Sequence, residues 1–470
     1  MLTQCNQESF QFHPLGGREV RGRFDGGAIT SDAGGLLLRE VEKRTGIIAQ
    51  FAACFRDHRD PERIEHTVRE LVAQRVYALA LGYEDLNDHD PLRQDPWLAV
   101  LAEKPDPRGE SRARERDQGK ALAGKSTLNR LELAGKEVSA EERYKKIALD
   151  PAAVDRLLGE VFLQAHRQPP PEIVLDLDAT DDPVHGNQER RFFHGYYGHY
   201  CYLPLYIFCG DFLLCARLRP SDIDASAGSR EELERIVGQI RQAWPGVKIT
   251  IRGDAGFCRQ ELTSWCEAQG VDYVLGLAKN PRLKAEIAPE LEQVAGEYAR
   301  TGQAARVFKE FLYQTRESWS RARRVIGKAE HLEKGSNPRF VVTSLSAQAW
   351  EARRLYEELY CARGEMENRL KEQLSLFADR TSTAFLHSNQ VRLYFSSLAY
   401  VLMEALRRLG LAGTEWARTQ CDTLRLKLLK IGAQIRVTVR RVWISLAEGD
   451  PYAGMFAQVY AQLRALPLRC

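Results

Sequence analysis

The chain has 470 residues, 44% hydrophobic and 28% charged, with a formal net charge of +3. That length exceeds one ordinary core and predicts two to four structural units, and the composition excludes a disordered chain. No run approaches the roughly 18 apolar residues of a membrane span. The polar start Met-Leu-Thr-Gln-Cys-Asn-Gln-Glu is not a signal peptide. Ten cysteines without a CxxC pair read as reduced thiols of a soluble intracellular protein. With so small a net charge, any nucleic-acid surface has to be local.

In chain order, residues 18–30 read as a strand, an Asp-Gly-Gly turn and a return strand. Asp32 stands where a cap would start a helix through Leu36-Leu-Leu38. Ile64 to Leu81 keep helical spacing and Gly82 follows as a stop. A short helix is expected near Trp97. Residues 119–126, Gly-Lys-Ala-Leu-Ala-Gly-Lys-Ser, fit the P-loop pattern letter for letter. The residues before them are Ser-Arg-Ala-Arg-Glu-Arg-Asp-Gln, which cannot form the buried strand a P-loop needs. A Ser126 or Thr127 cap on a short helix is the simpler reading.

Ile173-Val-Leu-Asp-Leu-Asp178 alternates as a strand does, which puts Asp176 and Asp178 on one face. A strand ending in carboxylates offers hard oxygen ligands, whereas Asp181-Asp-Pro183 can simply start a turn. Tyr200–Phe208 and Phe212–Leu218 read as strands joined at Cys209-Gly-Asp211. A helix over 229–242, a strand Val247–Arg252 ending at Gly253-Asp254, a helix over 259–269 and a strand Tyr273–Leu277 then follow. That rhythm is the signature of parallel strands with crossover helices. Three strands are expected within 305–345, as a β-rich insertion. One helix then runs from near Ser346 to about Phe377, and on it Tyr360, Arg363, Glu367 and Lys371 share a stripe. A solvated charged face is the plain alternative. Another helix covers about Asn389 to Leu409. Residues 416–443 carry seven Lys and Arg against one Asp, with apolar residues interleaved. Such a face suits phosphate contact, and Arg436, Arg440 and Arg441 lie at its end.

Three acids stand out: Asp178 and Asp254 at strand ends, and Glu367 on a helix. Such a set could hold two metal ions about 4 Å apart for in-line attack on a phosphodiester. The stretches Asp176-Leu-Asp-Ala-Thr-Asp-Asp-Pro-Val-His-Gly-Asn-Gln188, Arg252-Gly-Asp-Ala-Gly-Phe257 and Tyr360-Cys-Ala-Arg-Gly-Glu-Met-Glu-Asn-Arg-Leu-Lys-Glu372 resemble the DDE transposases of bacterial insertion sequences. The likeness is to the family numbered 1380, a relative of the IS4-type group. Ile29-Thr-Ser-Asp-Ala-Gly-Gly35 and Ala378-Asp-Arg-Thr-Ser382 extend it along nearly the whole chain.

The resemblance implies an α/β, RNase H-like mixed-sheet core with a β-rich insertion and helical flanks. It makes Asp178, Asp254 and Glu367 the catalytic, metal-binding triad for Mg²⁺, with Mn²⁺ able to substitute, as two ions. Tyr360 and Arg363 match the Tyr-x2-Arg-x3-Glu part of the related group's signature, near the DNA backbone. Leu374 stands where the signature has Lys, and Lys371 is the nearest substitute. Trp319, in the insertion, is a candidate for stacking on an unpaired base.

The implied organisation is a helical DNA-binding or dimerisation region (1–168), a first core part (169–304) and the insertion (305–345). The rest of the core (346–410) and a basic C-terminal region (411–470) follow. The implied activity is cut-and-paste transposition in the bacterial cytoplasm at the nucleoid, on terminal inverted repeats and target DNA, as a homodimer in the DNA complex and without a membrane. The alternative is a catalytically inactive DNA-binding protein derived from such an enzyme.

Overall fold

The computed structural model describes residues 9–133, 138–139 and 141–469. They form two compact units. One takes the described residues before 134, those of 138–148, and 398–469; the other takes 149–397.

The second unit is built on a nine-stranded mixed sheet. Its strands are β1 (Glu172–Ala179), β2 (Leu205–Cys209), β3 (Phe212–Arg217), β4 (Lys248–Gly253), β5 (Asp272–Leu277), β6 (Ala305–Tyr313), β7 (Arg323–Leu332), β8 (Gly335–Ser336) and β9 (Arg339–Thr343). Their spatial order is β3-β2-β1-β4-β5-β9-β7-β6, with β8 paired to β7. The pairs β1–β4 and β4–β5 are parallel. The hairpins and the β5–β9, β9–β7 and β7–β6 pairs are antiparallel.

Alternation explains the layers. On β1 the residues Ile173, Leu175 and Leu177 enter a core shared with Leu233, Ile236 and Ile240 of helix α1 (Ser229–Ala243) and Leu262 of helix α2 (Gln260–Gln269). Each such side chain contributes about 1.5–3 kcal/mol on full burial. The intervening Asp176 and Asp178 are left to the opposite face. Helix α2 stops at Gly270, whose φ of 60° supplies the left-handed cap.

The insertion does not form a separate sheet. β9 pairs with β5, so β6 to β9 extend the core sheet. The helix expected from Ser346 is also interrupted. A short turn at Ala352–Arg354 passes into a π-helical stretch, Leu355–Tyr360, and a 3₁₀ turn, Cys361–Arg363. Only then does helix α3 (Gly364–Ser375) begin. The irregularity has a visible use: the Leu359 carbonyl accepts a hydrogen bond from Arg252 Nη1 at 2.6 Å. A regular α-helix would give that carbonyl to residue 363.

In the first unit, helix Val68–Leu81 starts with a Thr67–Glu70 capping box and ends at Gly82, where φ is 99°. Arg18–Gly22 pairs with Phe10–Leu15 rather than with residues 28–30. Ala28–Thr30 instead joins the hairpin Ala433–Val437 and Val442–Leu446. Asp32 caps no helix; its carboxylate accepts from Tyr83 Oη at 2.6 Å and forms an ion pair with Lys430. Helix Gly35–Thr45 has Gly34 at its N-cap without a side-chain bond. A Cβ on Gly34 would meet the Leu428 carbonyl oxygen at 2.0 Å, so only glycine fits that approach. Among the described residues no helix is long and apolar enough to cross a membrane.

Candidate functional site

The sheet brings two of the three acids together by register. β1 and β4 run in parallel with Gly253 opposite Leu177, so Asp254 and Asp178 follow side by side. Asp254 caps the 3₁₀ turn Ala255–Phe257, its Oδ1 accepting from Gly256 N at 2.8 Å. That bond aims its carboxylate instead of leaving it to rotate.

Arg363 closes the third side. Its Nη2 lies 3.1 Å from Asp178 Oδ1 and its Nη1 lies 3.2 Å from Glu367 Oε1. One guanidinium therefore bridges the carboxylates of two acids. Asp178 is largely buried, with a side chain 13% exposed, whereas Glu367 is 53% exposed. Burial pushes the Asp178 carboxyl above its usual range; Asp254 and Glu367 push the same way, and Arg363 pulls against them. Tyr360, on the π-helical stretch, is held against the Asp254 turn: a Cβ on Gly276 would meet its Oη at 2.7 Å.

Asp176 belongs to the same face but does a different job. Arg252 grips it from both sides, Nε to Oδ1 at 2.5 Å and Nη2 to Oδ2 at 2.7 Å, and both side chains are buried. A carboxylate held bidentately by a buried guanidinium ties the two strands together.

Over residues 12–468 the sequence matches the family described as Transposase DDE domain group 1. The chain belongs to that family. Among curated proteins none matches. A cryo-electron-microscopy structure of piggyBac transposase in a synaptic complex with hairpin DNA is similar at 11% identity over 85% of this chain and 80% of that one, with a TM-score of 0.40.

For this DDE transposase chain, Asp178, Asp254, Glu367, Arg363 and Tyr360 meet in one place. Lys371 lies one turn beyond Glu367 on α3 and is exposed. Trp319 is buried at 6% exposure; its ring meets Tyr313 edge-on and lies under Arg323. It presents no open face to a base. Arg436, Arg440 and Arg441 are exposed on and around the hairpin Ala433–Val437 and Val442–Leu446 of the first unit.

The P-loop lookalike has no phosphate cradle. Lys125 Nζ donates to Asn87 Oδ1 at 3.0 Å and pairs with Asp90 at 3.5 Å, and no strand leads into helix Lys125–Glu132. That helix has Gly124 at its N-cap, so neither Ser126 nor Thr127 caps it.

The sequence reading missed Tyr197. It lies in the loop between the short strands Phe192–His194 and His199–Tyr202, and its hydroxyl is pushed up to about 12 by burial and by Asp181, Asp178 and Asp254. The aromatic run Phe192-Phe-His-Gly-Tyr-Tyr-Gly-His-Tyr200 was its signal. The same small sheet holds His199, whose Nε2 is 2.8 Å from Asp181 Oδ2.

The three carboxylates are hard oxygen donors of the kind a divalent cation takes, and both Asp254 and Glu367 push the Asp178 carboxyl up. Among the described residues, however, no three such side chains surround one point at metal-binding spacing. Arg363 supplies the positive charge there instead.

Proposed function

We propose that this chain binds DNA as a DDE-family protein, with Asp178, Asp254 and Glu367 as the residues that would hold Mg²⁺ or Mn²⁺. The observation that carries the reading is the register that sets Asp254 beside Asp178, with Glu367 joined to Asp178 through Arg363. Arg363 pairs with two of the three acids, Asp178 and Glu367. That favours, as it stands, the DNA-binding reading without cleavage, in a protein derived from a transposase.

The second reading is cut-and-paste transposition of its own insertion sequence, of the kind numbered 1380, by strand cleavage and transfer at the inverted-repeat ends in a homodimer. All three carboxylates are present, and this favours it. It requires the Arg363 guanidinium to leave Glu367, and a strand phosphate is a natural acceptor for it. Bound metal would polarise the phosphodiester and activate the attacking oxygen. Tyr360 and Arg363 would position the strand, and Arg436, Arg440 and Arg441 would contact phosphates elsewhere on the DNA.

Excision of a marked element from a plasmid in cells separates the two. Binding without cleavage predicts no excision by wild type, with salt-sensitive DNA binding that survives Asp254→Asn. Excision by wild type that is lost in Asp254→Asn would overturn it in favour of the transposition reading.

A further inference from the structure

A second charged feature lies in the first unit. Residues between Arg59 and Arg130 enclose an open cleft of about 870 Å³. Nine Lys and Arg side chains line it against four carboxylates, a local excess five times the scale of one charge in a chain whose total is only +3. Part of that excess is paired: Arg59 with Asp57, Arg63 with Asp60, Lys104 with Glu70 and Arg112 with Glu65. Asp106 is engaged by the backbone N–H groups of Arg108, Gly109 and Ser111 at 2.7–3.1 Å. Asp117 stands 3.8 Å from both Arg93 and Arg116. Arg114, Lys120 and Arg130 have no carboxylate within ion-pair distance among the described residues; Lys120 Nζ donates to the Arg116 carbonyl at 2.6 Å.

At the floor, cations face one another across His66, which is 6% exposed. Arg112 Nη1 donates to His66 Nε2 at 2.8 Å, and Lys104 Nζ stands 3.5 Å from Nδ1. Arg112 Nε is buried and has no hydrogen-bond partner among the described residues. Burial first, then Lys104 and Arg112, hold the imidazole neutral, its pKa pushed down to about 3. The cations left with charge to offer a ligand from outside the chain are Arg114, Lys120 and Arg130. Arg130, which lines the cleft, lies together with Arg143 over the half-exposed ring of Tyr144.

We infer that this cleft grips the phosphate backbone of duplex DNA, as an anchor separate from the carboxylate site. The inference rests on the reading that the protein works on DNA. An open, cation-lined surface with few apolar residues suits successive phosphates, which position a duplex without reading its sequence. The residues of the P-loop lookalike serve here in a different role: Lys120 and Gly124 line the wall of this cleft.

The test is binding of a fluorescent duplex to the full chain across a salt series. The triple variant Arg114→Ala, Lys120→Ala, Arg130→Ala removes cations that pair with no carboxylate, so folding should be spared, and its unfolding midpoint checks this. Each lost phosphate contact should flatten the slope of log K against log salt by about 0.9. A slope shallower by about 2 to 3 is expected, with a loss of roughly tenfold to a hundredfold near 0.15 M salt. Glu62→Lys, on the exposed rim, should steepen the slope. Wild type that binds while both variants bind identically to it would overturn the cleft assignment alone. Failure of wild type to bind duplex at low salt would overturn the DNA reading as well. Preferential capture of polyglutamate, lost in the triple variant, would show an acidic protein as the partner and overturn the duplex.

Discussion

Asp176 and Asp178 sit two residues apart on one strand face, and replacing each by Asn should have opposite consequences. Asp176→Asn keeps the shape but leaves the Arg252 guanidinium, buried at 7% side-chain exposure, without its bidentate partner. Breaking one side of a buried ion pair costs about 3–5 kcal/mol, because the remaining charge is stranded. In a unit of about 250 residues each kcal/mol moves the midpoint by roughly 2–4 °C, so a fall on the order of 10 °C is expected. Asp178→Asn removes a carboxylate that burial, Asp254 and Glu367 all disfavour, and Arg363 still has Glu367. Its stability should stay within about 1 kcal/mol of wild type, while any dependence of activity on Mg²⁺ is lost. Thermal and denaturant unfolding of the full chain, followed by two probes because there are two units, measures both. Equal midpoints for Asp176→Asn and wild type would refute the structural role of Asp176. A loss in Asp178→Asn as large as that in Asp176→Asn would refute the division of labour.

Gly276→Ala should place a Cβ 2.7 Å from Tyr360 Oη and 2.8 Å from Ala255 N, against the backbone of the Asp254 turn. Overpacking of this kind costs about 1–3 kcal/mol, and an unchanged midpoint would mean that the turn yields freely. Acid should destabilise the first unit through His66 and His89, both pushed down to about 3, chiefly by burial. Their folded pKa values lie below the unfolded value near 6.5, so this stability is complete above about pH 6.5 and drains as pH falls toward 3. At pH 5 each group accounts for about 2 kcal/mol, and His66→Gln should flatten the pH profile of the unfolding midpoint; an identical profile would contradict the assignment.

The core strands were legible because alternation is local. Ile173, Leu175 and Leu177 announce a half-buried strand, and the helices over 229–243 and 260–269 separate strands that must then run parallel. Parallel register alone then puts Asp254 beside Asp178. Other features had no local signature. Ala28–Thr30 is paired with residues 433–435, and nothing near residue 28 encodes that partner. At the break at Leu355–Tyr360, Arg252 of a distant strand takes the Leu359 carbonyl, and helical periodicity simply reads through it. Trp319 is a stacking candidate only by its residue type and its place in the insertion, and burial is not written in either; its ring packs against Tyr313 and Arg323. The P-loop pattern had the right letters and failed on context, as the absence of a strand before it implied.

The pairing of Ala28–Thr30 with the 433–437 hairpin strand also sets an order of events during synthesis. The first unit cannot close its small sheet, or bring Lys430 to Asp32, until the ribosome has passed the hairpin. At about 5–20 residues per second, roughly 400 residues of intervening chain impose a delay of roughly 20 to 80 seconds. By then the whole carboxylate unit, residues 149–397, has emerged and can fold. A nascent chain halted early would carry the acids but lack a finished first unit.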